Sequence, residues 1–179
     1  MYLFGHIGIT LGIFYGLSIF LPRLRNILNP KYLVIGSLLP DLIDKLLGRV
    51  IFASTIANGR IIGHTLLFSF LIFFVGLYLY DKRGEIIVLT LATGSFFHII
   101  EDQIWSDPQT LFWPLFGLKF PTGDLNDTGF EYLLKGLENS STFHFSQSAA
   151  PEIFGMLTIF VLALHWLIKR FGKTNSNDK

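Results

Sequence analysis

The sequence predicts an all-α integral membrane protein, a helical bundle of about five transmembrane helices with a loop-rich cap between the fourth and the fifth. Three observations carry this expectation. Hydrophobic residues make up 51% of the chain and charged ones 15%, with a mean hydropathy of +0.52, more apolar surface than a water-soluble domain of 179 residues needs. Four apolar runs, 2–21, 61–80, 86–105 and 153–168, reach or approach the roughly 20 residues that cross a hydrocarbon core. A fifth run, 32–47, is long enough but carries Pro40, Asp41, Asp44 and Lys45 in its second half.

The first run has no Lys or Arg ahead of it, whereas a secretory leader needs a positive start and a small-residue cleavage site, so it reads as a retained span. Residues 106–151 are the one long non-spanning stretch, rich in Gly, Asp, Asn and Ser but also in Phe and Trp, and read as a cap on one membrane face. Residues 1–171 then form a single membrane-embedded domain, and 172–179 a polar, disordered tail. The distribution of Lys and Arg does not choose an orientation. Depth is more informative. With five spans, His6 begins the first helix, Asp41 and Asp44 lie toward the end of the second, His64 begins the third, and His98 and Asp102 end the fourth, all near one face. If 32–47 failed to cross, His6 would be stranded on the opposite face. The expected location is the plasma or inner membrane, multi-pass, with the lipid bilayer as partner.

The net charge of +1 and the lack of a Lys/Arg cluster exclude nucleic acid as a partner, because such binding rests on many phosphate contacts. Cys is absent, so a bound metal must be held by imidazole nitrogen and carboxylate oxygen, the chemistry of a divalent Zn, Mn or Mg ion.

Ionisable side chains inside a bilayer are costly unless paired, hydrated or bound to an ion, so each one here is a candidate functional group. His98 and Asp102 stand one helical turn apart and project from one face, able to share a metal or simply to bond each other between packed helices. Asp41 and Asp44 stand three apart after a helix-distorting proline. A divalent cation would keep both ionised, and the alternative is a helix end with Asp41 on Lys45 and Asp44 exposed. Arg60 and His64 lie at the mouth of the third run, where Arg60 can meet a phosphate or carboxylate. Trp105 and Trp113 read as interfacial aromatics, and His165, near Lys169 and Arg170, as structural. His144 falls in the cap. The four elements together supply the nitrogen and oxygen ligands that a cysteine-free metal site requires.

The order His6, then GSLLPDLID at 36–44, then RIIGHTLL at 60–67, then GSFFHIIED at 94–102, then FWP at 112–114, resembles the membrane-bound, metal-dependent hydrolase family of YdjM-like, LexA-regulated inner-membrane proteins. The resemblance covers about the first two-thirds of the chain, with no family pattern beyond Pro114. It implies metal-site roles for His6, Asp41, Asp44, His64, His98 and Asp102. Two departures stand out: the acidic motif has one extra residue between its aspartates, which puts the ligand role of Asp44 in question, and Thr65 replaces the usual Ser.

The leading expectation is a hydrolase in which a divalent ion, zinc before manganese or magnesium, activates water. Glu101 or a non-ligating Asp would act as general base and Arg60 would assist catalysis on a lipid or lipid-linked phosphoester. The rival is a non-enzymatic membrane protein that uses the same His and Asp residues for ion or proton relay or for helix packing.

Overall fold

A computed structural model of the chain describes residues 3–124, 129–141 and 149–174, all of them helix, turn or loop. Helix α1 (Leu3–Phe20) is an apolar run with no proline to interrupt it. A single turn, α2 (Leu24–Ile27), leads to α3 (Pro30–Asp44), which starts at Pro30 with Asn29 accepting the N–H of Lys31. It continues as a π-helical segment, Lys45–Ile51.

The third run does not become helix where its hydropathy begins. Residues 52–65 form an irregular loop, and α4 (Leu66–Arg83) starts where the Thr65 hydroxyl accepts the N–H of Phe68. Ser and Thr cap helices alike, so Thr65 keeps the usual function of that position. Helix α4 ends at Gly84, in the left-handed conformation that favours glycine, with its N–H on the Tyr80 carbonyl. Helix α5 (Ile87–Glu101) also stops short of its apolar run: Gln103 adopts φ 51°, which no helix continues through. A 3-10 turn (Ile104–Ser106) and α6 (Pro108–Leu111) follow, the latter capped by Asp107, whose carboxylate accepts from the Thr110 N–H and hydroxyl. The cap region contains a helix of its own, α7 (Gly129–Ser141), which packs on the π-helical segment. Helix α8 (Ala149–Thr174) overruns the expected tail boundary, so 172–174 are helical. His144 lies outside the described residues.

Helices α1, α3 and α5 pack on one another; α4 lies against α5, and α8 against α1. The interior is polar and the exterior apolar. Among the described residues, 13 polar or charged residues are buried against 8 hydrophobic ones, while Phe70, Leu71, Phe74 and Tyr78 of α4 and Phe154, Phe160 and Ile168 of α8 are exposed. A water-soluble core has the opposite arrangement. Among the described residues two helices, α1 and α8, are long and apolar enough to cross a membrane. The five expected spans are not all of that kind. Helices α3 and α5 have 15 residues each, about 22 Å of rise against a hydrocarbon core of about 30 Å, and α4 carries Asp81, Lys82 and Arg83 in its last turn.

Backbones touch where glycines allow it. A Cβ on Gly94 of α5 would lie 2.3 Å from the Leu33 carbonyl of α3, and one on Gly36 would lie 2.3 Å from the Leu91 carbonyl. Gly94→Ala should therefore force α5 off α3 and lower stability in detergent by about 1–3 kcal/mol. Gly16→Ala, with nothing within 4 Å of the added carbon, should not lower it; equal unfolding midpoints for the two variants would refute this packing.

Candidate metal centre

Pro40 inside α3 has no N–H for the helix ladder, which opens the turn that runs from Gly36 to Pro40. Gly94 packs against this turn. One turn farther along α5, His98 can then donate from Nδ1 to the Ser37 carbonyl at 2.6 Å. A carbonyl only accepts, so the proton of a neutral His98 sits on Nδ1 and its Nε2 carries a lone pair.

Asp44 ends α3 with its side chain fully buried, not exposed beside Lys45. Its Oδ2 accepts from the N–H groups of Ile61 (2.7 Å) and His64 (3.1 Å), and its Oδ1 from the N–H of Gly63 (2.7 Å). The His64 Nδ1 adds a fourth donor at 2.7 Å. These bonds shape the loop ahead of α4 and turn His64 so that its Nε2 faces inward.

His6 on α1 donates from Nδ1 to Glu101 Oε2 at 2.8 Å, and the Thr10 hydroxyl donates to Glu101 Oε1 at 2.9 Å. The start of α1 is held from α8, where buried Glu152 accepts the N–H groups of Phe4 and Gly5, both at 3.1 Å. In a bilayer those orphan N–H groups have no water to turn to. Glu152 and Thr10 were missed in the sequence. Glu152 did leave a signal, a lone acid at the head of an apolar run.

Two imidazoles, those of His64 and His98, thus turn Nε2 to one point, and His6 stands beside them. The Nε2 atoms of His64 and His98 are 3.2 Å apart, and the ring of His6 stacks on that of His98 at 3.9 Å. His6 Nε2 is buried without a hydrogen-bond partner; it lies 3.3 Å from Asp102 Oδ1, out of hydrogen-bond alignment. Asp41 Oδ1 lies 3.8 Å from the Nε2 atoms of both His64 and His98, and Asp102 Oδ2 lies 3.6 Å from that of His64. Ligand atoms of Asp41, His64, His98 and Asp102 all fall within 4.8 Å of one another. Ligand bonds of roughly 2.0–2.2 Å span such a group, so these residues are able to hold a metal ion. Imidazole nitrogens 3.2 Å apart beside two carboxylates, with His6 Nε2 buried and without a hydrogen-bond partner, make a donor set that fits a divalent cation.

His6, Asp41, His64, His98 and Asp102 come together; Asp44 stands behind His64 and Glu101 behind His6, each with both oxygens engaged. Arg60 bonds Asp102 Oδ2 through Nε (3.1 Å) and Nη2 (2.8 Å), and Lys45 holds Asp41 Oδ2 at 2.5 Å. His165 is exposed on α8, away from the group, and so is Trp105, while Trp113 stacks on Phe120.

A family model described as YdjM inner membrane protein matches residues 1–174. The chain belongs to the YdjM inner membrane protein family. The YdjM match runs well past Pro114, where the motif resemblance ended, and takes in α7 and α8. The inner membrane location agrees with the apolar helices α1 and α8. No curated protein matches the chain, and no solved structure does.

Because Asp44 organises the loop of this YdjM protein, Asp44→Asn should lower stability in detergent by about 1–3 kcal/mol, one amide proton being set against donors that faced a carboxylate. Melting curves of the two proteins test this; identical curves would show that the four bonds do not hold the loop.

Proposed function

We propose that this protein is a membrane-embedded metal-dependent hydrolase whose substrate is a lipid or lipid-linked phosphoester. The observation that carries the reading is the meeting of the His64 and His98 Nε2 atoms beside Asp41 and Asp102, with the Nδ1 of His6, His64 and His98 each committed to an acceptor outside the cluster. Such outer acceptors fix the tautomer and aim of metal-binding histidines. Charge supports one divalent ion. Four carboxylates, Asp41, Asp44, Glu101 and Asp102, surround the imidazoles, with Lys45 on Asp41 and Arg60 on Asp102, and a cation among them offsets the cost of burying so many acids together. A donor set rich in imidazole suits zinc, then manganese, better than magnesium.

His6, His64, His98, Asp102 and Asp41 would hold the ion, Asp41 through Oδ1 while Oδ2 stays on Lys45. A divalent ion there supplies Lewis-acid activation of water and of the scissile bond. Glu101 is engaged by His6 and Thr10, so we assign it to orienting His6, in place of the proton-accepting role expected from the sequence. Asp41, with its side chain 17% exposed against 4–5% for Asp102 and Glu101, is the ligand nearest the open edge of the group. A proton shared between the Nε2 atoms of His64 and His98 would satisfy the same 3.2 Å contact, and this is the non-enzymatic alternative.

Metal analysis of the purified protein decides between them. Wild type should carry about one zinc or manganese ion, His98→Ala and His64→Ala should lose most of it, and His165→Ala should keep it. Asp44→Asn should weaken binding by roughly 10–100-fold, as loss of an orienting partner does. Equal metal in the His98 and His165 variants would sink the reading.

The multi-pass topology belongs to the same proposal: α1, α3, α4, α5 and α8 cross the bilayer, and the apolar surface of α4 supports this. Reporter tags inserted after Lys82 and after Asp124 should then lie on opposite sides of the membrane. A common side would refute five crossings.

A further inference from the structure

The metal centre is sealed on most sides. The side chains of His6, His64, His98 and Asp44 have no exposure, and those of Asp102 and Glu101 have 4% and 5%. Exposure returns at one edge, where Asp41 is 17% exposed, Lys45 30% and Arg60 39%. Among the described residues of the group these three are the most exposed, and two of them are cations.

Both cations are fastened to the cluster on one side and open on the other. Lys45 gives one hydrogen bond, to Asp41 Oδ2, and its ammonium has two further protons. Arg60 uses Nε and Nη2 on Asp102 Oδ2, and among the described residues its Nη1 bonds no protein group. The Lys45 side chain also runs beside the residue that precedes Arg60. Lys45 Cγ passes 3.4 Å from where a Cβ of Gly59 would stand, beside the backbone of Arg60, whose N–H is tied to Asn58 Oδ1 at 2.9 Å. A salt bridge needs neither a second cation nor an opening. Two anchored cations at this exposed edge, each with unused N–H donors, are instead what binds a group with several anionic oxygens.

We infer that Lys45 and Arg60 form a clamp for a phosphate group of the substrate at the exposed edge of the metal centre. The inference rests on the proposed hydrolase and adds to it a specificity residue, Lys45, that the sequence offered only as a partner for Asp41. Phosphate oxygens would take the free protons of the Lys45 ammonium and the Nη1 protons of Arg60, while Asp41 and Asp102 keep both cations in place. The same chemistry is offered by a lipid headgroup and by a soluble phosphate.

The test uses the full-length, metal-loaded protein in detergent, titrated calorimetrically with inorganic phosphate, with the metal content of each sample measured alongside. Lys45→Met keeps the length of the side chain and should retain the metal while weakening phosphate binding about tenfold or more, the effect of losing a charged hydrogen-bond donor. Arg60→Lys should weaken it as well, because the ammonium lacks the planar fork that lets Arg60 bond Asp102 through Nε and Nη2 while Nη1 points elsewhere. Competition with short-chain phosphatidic acid identifies the source. Tighter binding than phosphate assigns the clamp to a lipid headgroup, and equal binding to a soluble phosphate group. Full metal content with phosphate affinity unchanged in Lys45→Met would overturn the clamp alone. Wild type without metal would overturn the hydrolase reading, and the clamp with it.

Discussion

The carboxylate of Asp44 sits at the end of α3, where no water reaches it, and takes three backbone N–H groups and one imidazole N–H. An ionised carboxylate buried without such donors would be costly by many kcal/mol, so the chain from Ile61 to His64 wraps around it. The wrap is tight enough that Gly63 is the residue it admits: a Cβ there would lie 2.8 Å from the Pro40 carbonyl and 3.1 Å from Asp44 Oδ1. The loop conformation sets the aim of His64, whose Nε2 meets that of His98.

The same logic registers the helices. Between apolar helices in lipid there is little hydrophobic force to choose one alignment over another, so close backbone packing and buried polar bonds choose it. His98 on the Ser37 carbonyl sets α5 against α3, Glu101 on His6 and Thr10 sets α5 against α1, and Glu152 on Phe4 and Gly5 sets α8 against α1. Each bond joins residues far apart in sequence. The candidate site and the bundle are therefore one structure: the groups that aim the imidazoles are also those that hold the helices in place.

Short helices follow from this. The end of α5 at Glu101 lets Asp102 face His6, His64 and Arg60, and the late start of α4 leaves the stretch from Arg60 to Thr65 free to form the loop. The hydropathy of 61–80 and 86–105 reports only that those segments avoid water. It does not report whether they are helical, because buried loop and buried helix have the same apolar composition. This is why the expected spans exceed the observed helices at their site-facing ends.

By itself the sequence determined the all-α membrane class, through its apolar runs, and the identity of the polar cluster, through the order His6, Asp41, Asp44, His64, His98, Asp102. Spacing within one helix was legible because residues three and four apart share a face whatever surrounds them. Roles were not. Asp41 and Asp44 have the same chemistry and lie on the same helix, and only the loop that closes over Asp44 makes it a support for His64 while Asp41 stays at the open edge beside Lys45. Glu101 likewise follows His98 by three residues, yet it turns to His6 on α1. Which lone pairs converge and which carboxylates face solvent depend on partners supplied by other helices, and those the tertiary structure alone decided.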